Sequence, residues 1–218
     1  MDVGMATREQ VRVGALALPG ELEVPRDATA LVMFAHGRGS SLQSPRNRVV
    51  AAVLRSHRLA TLLFDLLTEK EAVARHTVLD IELLGERIEE ALDWAALHAP
   101  LGGLPVGLFG ASTGAAAALL AAAEQPGRVG AVVSRGGRPD LARRWLPLVN
   151  APTLLIVGGA DTEVLELNRQ ALRVLGCNKR LEVVPGASHL FEEPGTLDSV
   201  AQMAAAWFEN HLGARRQV

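Results

Sequence analysis

One stretch constrains this chain more than any other. An apolar run over residues 106–109 leads through Gly110-Ala111-Ser112-Thr113-Gly114 into a helix-forming segment, residues 114–123, that is apolar on every side. A helix without a polar face must be covered all round, so a sheet and further helices have to enclose it. The joint reads G-x-S-x-G. Such a turn bends sharply between strand and helix, needs glycine two residues either side of the serine to avoid collisions, and leaves the serine oxygen exposed.

The rest of the chain supplies what that helix requires. Residues 30–36 and 60–65 are continuous apolar runs, which read as interior strands. Residues 11–18 alternate and read as a leading edge strand, with residues 22–24 paired to it in a hairpin. Strands follow at 129–134, 152–157 and 181–184. Between them, Pro45 opens a helix to Ser56, and residues 80–98 carry Leu84, Ile88, Ala91, Leu92 and Ala95 at helical spacing. Amphipathic helices are expected at 164–175 and 197–212. The sum is about eight strands and six helices, alternating as a mostly parallel α/β sheet does with helices on both faces. With 218 residues and 49% hydrophobic content, residues 1–218 are expected to form one domain. Fewer than twenty residues separate Ser134 from Pro152, room for a short helix near 141–148 but not for a cap domain, so the site is expected to be open.

A nucleophilic serine needs a base and an acid, and folds built on this turn supply the acid after a later strand and the histidine near the end. Asp161 lies in Gly158-Gly159-Ala160-Asp161 directly after the strand at 152–157. His189 lies in Pro185-Gly186-Ala187-Ser188-His189 after the strand at 181–184. Both sit at strand carboxyl ends, the rim where ligand chemistry gathers in open parallel sheets. Singly, each residue has a plainer reading, as a helix cap or a solvated side chain; their joint order favours catalysis. Asp140, Glu163, Glu192 and Glu193 are the other acids in loops, with Asp140 and Glu163 reading as first-turn carboxylates.

Several function classes find no support. A net charge of −2 without a basic stripe argues against nucleic acid or an anionic membrane as partner. The opening residues, 1–10, lack an apolar stretch, no run is long enough to cross a bilayer, and a lone Cys177 cannot form an internal disulfide; a cytoplasmic protein is expected, with Cys177 as a packing residue. His57, His76, His98 and His211 are scattered without ligand spacing, so no metal is expected. No glycine-rich phosphate loop is present, and no cofactor is implied. The edge strand near 11–18 could pair across a homodimer.

Taken together, Ala35-His36-Gly37-Arg38-Gly39-Ser40, the Ser112 turn, Asp161 and His189 resemble the α/β-hydrolase superfamily over nearly the whole chain. The lidless build, Phe64-Asp65-Leu66-Leu67-Thr68-Glu69 and Val133-Ser134-Arg135-Gly136-Gly137-Arg138-Pro139-Asp140 resemble its dienelactone hydrolase-like branch. Enzymes that give the branch its name use a cysteine nucleophile and a glutamate in the oxyanion loop, where this chain has Ser112 and His36. The resemblance therefore implies serine carboxylesterase chemistry on a small-molecule ester, run by Ser112, His189 and Asp161, and the open site expected above favours esters of short acyl chains. It implies an oxyanion hole from the backbone N–H groups of Thr113 and Arg38. Arg38, Arg135 and Arg138 on rim loops are candidates to hold a substrate carboxylate, with a plainer reading as solvated side chains or partners of Asp140 and Glu69. Thioester or lactone hydrolysis, perhydrolysis, and a catalytically silent binding module are the alternatives.

Overall fold

A computed structural model describes residues 7–74 and 76–213. The ends of the expected 1–218 domain, including residues 1–6 of the opening segment, lie outside that range.

The sheet has eight strands among the described residues. At one edge β1 (Thr7–Val13) and β2 (Leu18–Val24) form an antiparallel hairpin, and β2 pairs antiparallel with β4 (Leu59–Phe64). Beyond β4 every pairing is parallel, through β3 (Ala30–Ala35), β5 (Val106–Ala111), β6 (Val129–Arg135), β7 (Thr153–Gly158) and β8 (Lys179–Val184). This is the α/β-hydrolase fold. The strands that read as continuous apolar runs, β3, β4 and β7, are buried along their whole length, because helices cover both faces of a parallel sheet.

On one face lie α1 (Pro45–Ser56) and α6 (Thr196–Leu212), and on the other α3 (Ile81–Leu97), α4 (Thr113–Glu124) and α5 (Thr162–Val174). All of α4 from Thr113 to Ala123 is buried, as its lack of a polar face demands. A side chain on Gly114 would place a Cβ 2.2 Å from the Ala35 oxygen. Only glycine allows α4 to start hard against the end of β3.

Three local expectations are corrected. The single strand expected over 11–18 is broken by a turn, with Gly14 and Ala17 at positive φ and the Ala17 N–H donating to the Gly14 oxygen at 3.1 Å. Alternation stops at the turn, where residues 15–17 are all exposed, and resumes in the opposite phase, with Val11 and Val13 buried before it and Leu18 after it. The helix expected at 141–148 is two short 3-10 turns, Pro139–Ala142 and Leu146–Leu148, since Pro147 in mid-segment has no N–H to continue a ladder. A short α2 (Glu69–Ala72) also forms where no helix was expected. Thr68 and Glu71 cap it reciprocally, a pairing readable in the T-x-x-E spacing.

His36 ties the carboxyl ends of β3 and β4 together. Its Nε2 accepts the Leu66 N–H at 3.2 Å and Nδ1 lies 3.2 Å from the Gly37 oxygen. These partners fit a neutral ring protonated on Nδ1. Asp65, whose Oδ1 stands 3.5 Å from Nε2, accepts the Leu42 N–H at 2.7 Å. Burial of the imidazole holds its pKa below the ordinary histidine value, outweighing the nearby Asp65 carboxylate.

Two outcomes are expected. Gly114→Ala should lower unfolding stability by about 1–3 kcal/mol through overpacking against backbone; a urea midpoint equal to wild type would show that the helix start can shift freely. Because the unfolded chain takes up a proton near pH 6.5 that folded His36 resists, stability should fall as pH drops below about 6.5. Unfolding free energies from pH 8 to 5 test this, with a shallower slope expected for His36→Gln.

Candidate active site

Ser112 sits at the joint of β5 and α4 with φ 52° and ψ −121°, a conformation rarely adopted by a residue with a side chain. Backbone bonds hold it there. Its N–H donates to the Arg135 oxygen at 3.2 Å, and its own oxygen accepts from Ala115 N–H and Arg138 N–H, each at 3.1 Å. Although Ser112 occupies the N-cap position of α4, its hydroxyl makes no capping bond. The side chain is left half-buried at the rim.

Asp161 precedes α5, likewise without a capping bond from its side chain. Instead its Oδ2 takes the His189 Nδ1–H at 2.6 Å. That bond orients the ring and leaves Nε2 as the nitrogen free to accept a proton. The loops carrying the acid and the histidine meet at Gly158, where a Cβ would fall 2.3 Å from the Ala187 oxygen. The remaining loop acids have other partners or positions. Asp140 binds the Arg138 guanidinium in a two-bond fork at 2.8 and 2.7 Å, and Glu192 pairs with Arg46 at 3.3 Å. Glu193 accepts the Ser188 N–H at 3.1 Å, and hydrogen bonding from the Ser188 side chain, then from its N–H, holds the Glu193 carboxyl below the usual range. Glu163 lies in the first turn of α5.

The loop after β3 passes directly over the serine. At Gly37 a Cβ would lie 2.9 Å from the Ser112 Cβ and from the Ala111 oxygen. The next residue, Arg38, presents its backbone N–H to the Thr113 Oγ1 at 3.0 Å, so this expected oxyanion donor is occupied by a neutral hydroxyl. The Thr113 N–H, the other expected donor, is in the first turn of α4, where N–H groups lack partners within the helix.

Two hollows flank the Arg38–Thr113 contact. A cleft of about 410 Å³ contains Ser112, His189, Arg38, Arg46, Arg135 and Arg138. An adjoining cavity of about 210 Å³ has a largely apolar wall from Leu67, Ala72, Val78 and Leu84. Both are bounded by Gly37, Arg38, Ser40 and Thr113. The three arginines expected at the rim are thus all present, but unequal. Arg138 is engaged by Asp140, Arg38 is exposed, and Arg135 is buried. Sequence reasoning missed Arg46, which arrives from the first turn of α1, and the apolar wall contributed by the α2 region. The cap of α2 was the available signal for the wall; nothing local marked Arg46.

No group of acids, histidines and cysteines among the described residues is arranged to hold a metal ion, and no described helix is long and apolar enough to cross a membrane. Cys177 is partly buried, with its Sγ 3.7 Å from the Thr153 hydroxyl.

Residues 65–212 match the dienelactone hydrolase family. A crystal structure of a dienelactone hydrolase from Anabaena variabilis is similar, with a TM-score of 0.91 and 54% identity over 95% of this chain and 98% of that one. A dienelactone hydrolase-like promiscuous phosphotriesterase from metagenomic libraries shares the fold at a TM-score of 0.78 and 17% identity, over 96% of this chain and 100% of that one. A Mycobacterium tuberculosis protein with a provisional phosphoribosyl transferase name is 56% identical over 203 residues, 93% of this chain and 46% of its own. The chain thus spans about half the length of the curated relatives it matches. A shared fold, the matched residues and the 54% identity to the Anabaena structure lead to one conclusion: this chain belongs to the dienelactone hydrolase family.

Proposed function

We propose that this hydrolase-family chain is a serine hydrolase that cleaves carboxylic esters of short acyl chains through an acyl-enzyme. The observation that carries the reading is the shared cleft of Ser112 and His189, with the imidazole held at 2.6 Å by Asp161. A serine hydroxyl is too weak an acid to attack an ester at neutral pH without a base taking its proton. In the proposed step Ser112 Oγ bonds to the ester carbon as its proton passes to His189 Nε2. The carbon–oxygen bond to the alcohol then breaks, and the alcohol leaves with that proton. Water repeats the sequence and releases the acid. Asp161 fixes the tautomer and stabilises the imidazolium. Thr113 N–H and Arg38 N–H serve the oxyanion, the latter once it leaves the Thr113 hydroxyl.

Chain length follows from the apolar cavity beside the oxyanion loop. At about 210 Å³ it falls below the several hundred cubic ångströms of drug-sized pockets, and the segment joining β6 to β7 adds only two 3-10 turns, so the apolar wall ends early. The phosphoribosyl transferase name of the mycobacterial relative attaches to a protein of about twice this length. The acyl-transfer reading concerns the half that matches.

Ser112→Ala should remove ester hydrolysis and labelling by a fluorophosphonate probe, with unchanged stability. Retention of more than a few per cent of the rate, or absence of labelling in the wild type, would refute the serine mechanism and favour a silent binding module. Asp161→Asn should slow hydrolysis less than Ser112→Ala or His189→Ala and far more than Asp140→Asn. For nitrophenyl esters of two to sixteen acyl carbons, each buried methylene contributes up to ~0.8 kcal/mol, so kcat/KM should rise while the wall lasts. A maximum at about two to six carbons is expected, whereas one at ten or more would mean a longer apolar channel.

A further inference from the structure

The buried stripe of α5 has one polar residue at its centre. Helical spacing sets Val164, Leu165, Asn168 and Ala171 on one buried face, and an apolar side chain is expected in the middle of such a stripe. Asn168 is 0% exposed. Its Nδ2 donates to the Val164 oxygen at 2.8 Å and to the Gly137 oxygen at 3.0 Å, and two carbonyls facing the same amide atom identify that atom as the nitrogen. The Oδ1 is enclosed without a partner among the described residues. A buried amide with an unmet acceptor costs stability that a leucine would not, so packing alone does not account for this residue.

Gly137 lies in the segment that surrounds the serine and the histidine. Arg135, at the end of β6, accepts the Ser112 N–H at 3.2 Å, and the Arg138 N–H donates to the Ser112 oxygen at 3.1 Å. Between them Gly136 donates to the Ile156 oxygen at 2.8 Å. Gly136 also stands against the imidazole, where a Cβ would lie 3.5 Å from both Nδ1 and Cε1 of His189. On its inner side Gly137 is stopped by β6 and α4, since a Cβ there would fall 2.0 Å from the Ser134 Oγ and 2.7 Å from the Ala115 Cβ. The Asn168 amide holds the same residue from α5.

We propose that Asn168 is a positioning residue for the reaction at Ser112: through Gly137 it fixes residues 135–138, and so sets both the backbone pose of the nucleophile and the seat of the His189 ring. This rests on the serine hydrolase reading of the same cleft. The amide touches no reacting atom. Its hold passes one residue back to Gly136, beside the imidazole, and one residue forward to Arg138, on the serine carbonyl. Asp161 stands at the amino end of the same helix, two turns before Asn168. A displacement of α5 therefore carries the acid and the loop together, and the relation among Ser112, His189 and Asp161 is kept.

The test compares Asn168→Leu and Asn168→Asp with wild type and with Trp207→Phe. The last is a control, because it removes a side-chain donor from the Pro152 oxygen at the amino end of β7, away from the cleft. Small misplacements of reacting groups cost rate far more than binding. For nitrophenyl butyrate, Asn168→Leu should lower kcat by about tenfold or more while KM stays within about twofold. Trp207→Phe should leave kcat within about twofold of wild type. At pH 8 the Asn168→Asp carboxylate sets an acceptor against two carbonyl oxygens, so its rate should fall at least as far as that of Asn168→Leu. Toward pH 5.5 the protonated carboxyl regains one donor, and the rate of Asn168→Asp relative to wild type should climb, whereas that of Asn168→Leu should stay level. In the Ser112→Ala background, where no turnover is needed, the NMR signal of the His189 Cε1–H should move on adding Asn168→Leu and stay in place on adding Trp207→Phe. The positioning role is overturned if Asn168→Leu keeps its kcat, if the loss lies in KM alone, if Trp207→Phe loses as much, or if the His189 signal does not move. Those results would leave the serine mechanism standing. Persistent hydrolysis by Ser112→Ala would reject that mechanism, and the NMR comparison would still decide whether Asn168 governs the seat of His189.

Discussion

Everything at this rim depends on one backbone conformation, that of Ser112. A non-glycine residue with positive φ and extended ψ costs on the order of 1–3 kcal/mol, and it persists only where surrounding contacts over-determine it. Here three backbone hydrogen bonds fix the residue between the ends of β5 and β6 and the start of α4. The helix that follows is buried throughout and cannot slide. Strain at one residue is thereby offset by packing of a helix that is buried on every side. The same segment that makes a sheet unavoidable also makes the serine available.

The loops around that serine approach so closely that side chains are excluded at their contacts. Gly37 lets the loop after β3 rest on Ser112, Gly114 lets α4 begin beneath β3, and Gly158 brings the loops of Asp161 and His189 together. Carboxylate and imidazole are then in contact although twenty-eight positions separate them in the chain. His36 adds a polar clasp between the ends of β3 and β4, and works as a clasp only while its ring is neutral.

Much of this was legible in the sequence because it rests on local patterns. Continuous apolar runs gave β3, β4 and β7, helical spacing gave α3, and the order of Ser112, Asp161 and His189 anticipated residues that now share a rim. The hairpin of β1 and β2 was blurred because its turn is made of small and apolar residues, among them Ala15, Leu16 and Ala17, which read as part of the strand although all three are exposed. Arg46 was not legible at all: it reaches the cleft from α1, and only the folded sheet brings that helix end beside β6. Among Arg38, Arg135 and Arg138, the pairing of an arginine with Asp140 could be anticipated because Asp140 is two residues from Arg138, whereas the burial of Arg135 without a carboxylate partner among the described residues depends on the folded sheet.

The contact between Arg38 N–H and Thr113 Oγ1 bears on the economy of the resting site. A donor aimed at a developing oxyanion would, in the empty protein, be a polar group short of a partner. The threonine hydroxyl supplies that partner. On the reaction proposed above, an incoming ester oxygen would exchange one neutral acceptor for another at nearly balanced cost, whereas a tetrahedral intermediate would offer a charged acceptor, which binds such a donor about twice as strongly. In the proposed reaction, the threonine thus acts as a placeholder that a neutral carbonyl barely outcompetes and an oxyanion displaces readily, biasing the site toward the transition state rather than the substrate.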